Sequence, residues 1–347
     1  MREEPQFGCV NPAGIAAHQV QFRVGDVSVQ VAGEDASDVA LVSSLSRFRE
    51  GTGTAHIRIQ IKRAARLPGT EGRELFDSGS VWRLFEDDAG FRFDFATATM
   101  GDTPYKRLIV DREFRRASLL IKDRCFAGTC SAAPLEYPLD ELLIMHRLTQ
   151  EKAIELHGCG IVRADGIGNL FVGHSGAGKS TTTRLWTARE DVEVLSDDRI
   201  IVRREKEPRV GSVSEIPVNA AGAASKPEVP RLREQCAART AHYARDDKKI
   251  RMYGTPWHGE AMYASPNSAP LARIFILEHG HGNVITPLSP SQAVAELFAR
   301  AFVPFHQHEY VESALTFLEE VAESIPVYRY SFEPDQRAVD AILHFHD

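Results

Sequence analysis

Eight consecutive residues carry the clearest chemistry in the chain. Gly173-His174-Ser175-Gly176-Ala177-Gly178-Lys179-Ser180 has the spacing G-x-x-x-x-G-K-[ST], in which each residue type has a physical job. Glycines let the backbone wrap a phosphate so that successive N–H groups point inward. A helix starting near Lys179 adds its positive N-terminal end. Lys179 then reaches the β- and γ-phosphates of ATP, and the Ser180 hydroxyl ligates Mg²⁺. The nucleotide-binding set on this reading is Gly173, Ser175, Gly176, Ala177, Gly178, Lys179, Ser180 and Thr181. With glycine at about 7% of residues in proteins generally, a chain of this length meets the four fixed positions by chance at odds of roughly one in a hundred.

The next apolar stretch, Val192 to Leu195, runs into Ser196-Asp197-Asp198. An isolated Asp-Asp reads as an acidic turn. Following a phosphate loop, it reads as the metal-holding end of a neighbouring strand. Two adjacent acids allow a division of labour, one orienting Mg²⁺ and the other accepting the proton of an attacking hydroxyl. Either acid, Asp197 or Asp198, could join Ser180 at the metal and leave the other as the base. Lys179 completes the catalytic group. His157 ends an apolar run, Ile154-Glu155-Leu156-His157-Gly158, where a packed core histidine is the ordinary reading.

These residues need elements to hold them. Residues 1–135 read as a β-rich accessory domain, an antiparallel one on its turn chemistry. Gln19 to Val31 alternates around Gly25-Asp26, Ile57, Ile59 and Ile61 share one face of a strand, and Val81–Phe85 pairs with Phe91–Phe95. Residues 136–347 read as an α/β P-loop kinase core, because short apolar strands (Leu156–Ala164, Asn169–Val172, Val192–Leu195) alternate with helical stretches (Leu139–Gln150, Ser180–Arg189). An Ala-, Pro- and Ser-rich insertion at about 209–249 interrupts this core. Beyond it come a strand at Arg273–Glu278, helices at Ser291–Phe302 and His308–Ser324, and a strand at Val327–Phe332.

Leu156-His157-Gly158, GHSGAGKS and Leu195-Ser196-Asp197-Asp198 together resemble the catalytic domain of HPr kinase/phosphorylase, whose core is related to ATP-dependent phosphoenolpyruvate carboxykinase. The stretch Tyr253-Gly254-Thr255-Pro256-Trp257-His258-Gly259-Glu260 resembles a motif of HPr-kinase-related proteins, some of which phosphorylate a serine of a peptide. The resemblance implies that His157 is an active-site histidine near the transferred phosphate, that Asp197 and Asp198 are the metal and base pair, and that His258 and Glu260 meet substrate. Thr181 departs from the pattern, standing where that family carries an acid, which weakens the case for HPr itself as acceptor.

The function expected is therefore an ATP- and Mg²⁺-dependent kinase acting on a hydroxyl, with a serine of a peptide or protein first among acceptors. A small-metabolite kinase, a carboxykinase-like lyase and a non-catalytic nucleotide-binding regulator are the alternatives, and self-association is left open. Composition agrees with a globular protein: 347 residues, 43% hydrophobic and 26% charged. A net charge of −7 gives no general attraction to nucleic acid. No segment has the run of about 18 apolar residues that a membrane helix needs. Five cysteines (Cys9, Cys125, Cys130, Cys159, Cys236) form no disulfide or zinc framework and fit a reducing, cytoplasmic location. The His-x-His pairs at 279/281, 306/308 and 344/346 read as surface histidines.

Overall fold

The computed structural model describes residues 18–69, 71–79, 81–97, 101–122, 133–188, 192–205 and 250–345. The insertion at 209–249 falls outside the described residues, as do Cys9, Cys125, Cys130, Cys236 and His346.

The first half forms a sheet of β1 (His18–Val24), β2 (Val27–Gly33), β3 (Arg49–Glu50), β4 (Ile57–Ala64), β5 (Arg73–Asp77), β6 (Trp82–Glu86), β7 (Gly90–Thr97), β8 (Gly101–Asp111) and β9 (Arg116–Lys122). Its order is β3-β1-β2-β4-β9-β8-β7-β6-β5. Gly25 (φ 55°) and Asp26 (φ 66°) form the two-residue turn of the β1–β2 hairpin, where both positions need a positive φ. Ile57, Ile59 and Ile61 are buried on one face, as period-two alternation requires.

The expectation of an antiparallel domain is corrected here. β4 pairs in parallel with both β2 and β9, so the sheet is mixed. The connection from β2 to β4 crosses through Ala36–Val39, a short helix α1 (Ser43–Ser46) and β3, and the β5–β8 meander separates β4 from β9. Neither is a hairpin, and only a hairpin forces antiparallel pairing.

The second half holds β10 (Ala153–Val162), β11 (Gly168–Val172), β12 (Glu193–Ser196), β13 (Arg199–Arg204), β14 (Ile250–Tyr253), β15 (Ser268–His279), β16 (Val284–Pro287), β17 (Ala301–Phe302) and β18 (Val327–Phe332). The path β11-β10-β13-β14-β15 closes on itself through a parallel β11–β15 pairing, giving a ring of five strands. Among the described residues strands outnumber helices. The helices are α2 (Leu139–Leu148), α3 (Lys179–Thr187), α4 (Pro290–Phe298), α5 (His308–Ser324) and α6 (Gln336–Leu343).

Two apolar clusters flank this second sheet. Leu156, Val172, Ile200 and Ile276 pack with Leu297 of α4 and Phe317 and Leu318 of α5. Phe171 and Phe275 pack with Trp186 of α3, Tyr330, and Val339 and Ile342 of α6. Helix α2 buries Leu139, Leu143, Ile144 and Leu148 in the core of the first sheet, together with Ile201 and Trp257 from later in the chain.

A second difference from the sequence reading lies beside the site. The helix expected over Ser291–Phe302 ends at Phe298, and Ala301–Phe302 is a strand paired with β10. Ser289 and Gln292 cap the N-terminus of α4 reciprocally, with Pro290 at its start, so the helix begins where chemistry favours it. Its end is set by strand pairing, which helical periodicity does not encode.

Candidate active site

β11 is buried along its whole length and delivers the chain to Gly173, whose N–H donates to His157 O at 3.1 Å. The loop then turns on Gly176 (φ 83°) and Gly178 (φ 104°), a region that disfavours any side chain. A Cβ on Gly178 would meet Phe332 Cζ at 2.6 Å. Lys179 begins α3 and is buried, with Nζ donating to Gly173 O at 3.0 Å and His174 O at 3.1 Å. Its ammonium is bent back over the loop that precedes it. Burial lowers the Lys179 pKa, against the opposing charge of Asp198. Ser175 and Ser180 are exposed, while Ala177 and Thr181 are half-buried.

The acids reach the same place through the backbone. Gly158 N–H donates to Asp198 O at 3.0 Å, so His157 and Gly158 join the glycine loop on one side to the acidic turn on the other. His157 Nε2 lies 2.9 Å from Asp198 Oδ1. The Arg199 guanidinium holds Asp198 Oδ2 and also reaches Glu141 Oε1 at 2.7 Å and Glu155 Oε1 at 3.5 Å, with its plane 4.2 Å from the Phe302 ring centroid. Burial pushes the Asp198 carboxyl up. The His157 hydrogen bond and the charges of Arg199 and Lys179 outweigh that and leave it below the ordinary carboxylate range. Glu155 shows the converse: fully buried and beside Glu141, its carboxyl is raised well above the ordinary value.

Asp197 is placed differently from its neighbour. It is 2% exposed, and its oxygens accept the backbone N–H groups of Gly259 (3.1 Å), Ala261 (2.9 Å) and Tyr263 (3.2 Å). It thereby fixes the 257–263 loop, which Trp257 anchors from the other end by donating Nε1–H to Asp140 Oδ2 at 3.1 Å. In that loop His258 is half-buried, with Nδ1–H donating to Gly259 O at 3.1 Å, and Glu260 is exposed. Among the described residues no three His, Cys, Asp or Glu side chains converge as a metal site. A metal here would rest on Ser180, one aspartate and the phosphates of a bound nucleotide.

Sequence reasoning named His157, Lys179, Asp197 and Asp198, and they fall around one junction. It missed four others. Arg199 directly follows the acids. Glu155 was legible as a lone charge inside an apolar strand, which is rarely buried without a partner. His279, read as a surface histidine, is exposed, yet its Nε2–H donates to Gly176 O at 2.5 Å and steadies the tip of the loop. Arg300 gives its backbone O to His157 N–H at 2.9 Å. Two other basic residues of this sheet point to different partners. Arg251 donates to Ser268 O at 3.2 Å, and Arg273 lies over the Phe345 ring.

No protein-family model matches the chain, and no curated protein matches its sequence.

Proposed function

We propose that this protein is an ATP- and Mg²⁺-dependent kinase of the HPr-kinase type, transferring the γ-phosphoryl group to a serine hydroxyl of a peptide or protein. One observation carries the reading: Gly173 and Asp198 are hydrogen-bonded to the adjacent residues His157 and Gly158, so a glycine loop ending in Lys179 and an ionised carboxylate face a common space. The residues fit the group. The loop has the backbone conformations that only glycine takes freely, a nine-residue helix starts at Lys179, and the lysine ammonium rests on loop carbonyls that it can leave for a phosphate.

Bound Mg-ATP supplies the phosphoryl group and the metal's neutralising charge. The loop amides and Lys179 bind and orient the phosphates, and Ser180 offers its hydroxyl to the metal. Asp198 takes the proton of the acceptor hydroxyl, because it is the acid with an ionised oxygen beside His157 and Lys179. His157 and Arg199 each hold one oxygen of that carboxylate and fix its orientation. In this assignment Asp197 acts through the 257–263 loop, having given its oxygens to three backbone N–H groups, and His258 and Glu260 stand on that loop towards the acceptor.

The test is to incubate the protein with Mg²⁺ and γ-labelled ATP, supplying serine-containing peptides, free serine or oxaloacetate in turn. Label on peptide serine supports the reading. Phosphate on free serine alone, or decarboxylation of oxaloacetate, gives the function to a metabolite kinase or a lyase. Calorimetry detecting no uptake of Mg-ATP ends it.

A further inference from the structure

We infer that Glu141 and Glu155 hold one proton and one negative charge between them, and that this single charge aims Arg199, and through it Asp198, in the proposed transfer. The second clause rests on the kinase reading; the first stands without it.

Three carboxyls converge on one guanidinium. Arg199 holds Asp198 Oδ2, while its Nε lies 2.7 Å from Glu141 Oε1 and 3.5 Å from Glu155 Oε1. Asp140, the residue before Glu141, adds a further buried acid, whose oxygens accept Trp257 Nε1–H at 3.1 Å and Glu141 N–H at 3.0 Å. From β17, Phe302 stands opposite Glu155. Tyr137, just before α2, adds a phenol that burial and then Glu141 push upward, so it stays neutral. One cation cannot balance that many anions away from water, and a buried surplus of negative charge is relieved by taking up a proton.

The positions say which acid takes it. Asp140 and Glu141 stand in the first turn of α2, where the positive end of the helix favours the ionised form. Glu155 has no such support. It is 1% exposed in β10, and neither of its oxygens accepts a hydrogen bond from a described residue. Glu141 lies within hydrogen-bonding reach of it, and two carboxyls can share a hydrogen bond only with a proton between them. The upward push on Glu155, from burial first and Glu141 next, agrees with this arrangement. Arg199 then meets one negative charge on this side and keeps its other side for Asp198. Two charges there would compete with Asp198 for the guanidinium.

The two glutamates are therefore interchangeable carriers. With one of them an amide, the other keeps the charge; with both amides, Arg199 loses the anion that fixes its far side. The test uses Glu141→Gln, Glu155→Gln and the double variant, all close to isosteric. Infrared spectroscopy at pH 8, above the value of about 6 to which burial raises Asp140, reads the C=O stretch of a protonated carboxyl. The wild type should show that band, and each single variant should lose it, because the remaining acid is ionised. Single-turnover transfer to a peptide should stay within about threefold of wild type in each single variant and fall by about tenfold to a hundredfold in the double, the range of a lost hydrogen bond to a charged group. Mg-ATP affinity by calorimetry should not move. A wild type without the band, a band that survives either single change, or a double variant no worse than the product of the two single losses overturns the inference. The infrared comparison of the single variants decides the shared proton even where the double variant does not fold. A wild type that shows the band but transfers no phosphate sinks the kinase reading and leaves the shared proton standing, whereas an active wild type without the band sinks the inference alone.

Discussion

His157 Nε2 and Asp198 Oδ1 stand 2.9 Å apart, and their backbones are tied by the Gly158 N–H bond to Asp198 O. A histidine on one strand is therefore held against an acid on a turn that another strand delivers, by contacts at both the side chain and the main chain. In the proposed reaction the carboxylate it steadies is the proton acceptor.

Asp198→Asn is expected to lower phosphoryl transfer by about a hundredfold to ten-thousandfold, the range of a general base, with Mg-ATP affinity retained. Single-turnover transfer to a peptide measures it. The Asp198 carboxyl is held below the ordinary value, so the wild-type rate should stay level as pH falls through the ordinary aspartate range near 4. His157→Phe removes the hydrogen bond to Asp198 Oδ1 and moves that acid limb upward.

Asp197→Ala is expected to act on stability first. Three backbone N–H groups lose their acceptor, and a cost of about 3–5 kcal/mol follows from leaving such donors unmet. Asp197→Asn should recover only part, because an amide oxygen in place of Oδ1 keeps the Gly259 and Tyr263 bonds while its NH₂ group cannot accept from Ala261 N–H. Urea denaturation of both variants measures the loss, and an Asp197→Asn variant as stable as the wild type would contradict the anchoring role.

Gly178→Ala places a methyl group 2.6 Å from Phe332 Cζ on a residue at φ 104°. Strain of about 1–3 kcal/mol is expected, together with weakened nucleotide binding. The double variant with Phe332→Ala should relieve the clash and leave the backbone penalty, so binding recovers only in part by calorimetry.

His146 gives the fold a dependence on acid. It is 1% exposed, its Nδ1–H donates to Leu142 O at 2.6 Å, and its ring packs on Phe93 and Phe114 and lies 5.1 Å from that of His306. Burial pushes the pKa of His146 down to about 3 and that of His306 down to about 4. The unfolded chain binds these protons near pH 6.5 and the folded chain does not. Stability is thus complete above that pH and falls as pH drops towards the folded values, by up to about 1.4 kcal/mol per unit for each histidine. His146→Phe should reduce the stability difference between pH 7 and pH 5, read by denaturation at each pH.

Local signals in the sequence were strong where one residue type does one thing. The Gly25-Asp26 hairpin, the isoleucine face of β4, helix α5 over His308–Ser324 and the strand Val327–Phe332 stand where alternation and period place them. The loop glycines and the acids after Leu195 were legible for the same reason. What could not be read was pairing between distant segments. The parallel position of β4, the closure of β11 on β15, the strand at Ala301–Phe302 and the different tasks of Asp197 and Asp198 all depend on partners remote in the chain. Two neighbouring identical residues have identical local chemistry, and partners remote in the chain, the 257–263 loop for Asp197 and His157 for Asp198, distinguish them.

Strand β10 changes neighbours in its middle. Ala153–His157 ladders with β13, and Gly158–Val162 ladders with β11, so the strand forks between His157 and Gly158. A fork tolerates no sliding: inserting one residue upstream of it would turn His157 inward and send an aliphatic side chain towards the acids. Length variation in relatives of this chain should accordingly be absent from Ala153–Val162 and gather at the Asp165-Gly166 turn, where added residues disturb neither ladder.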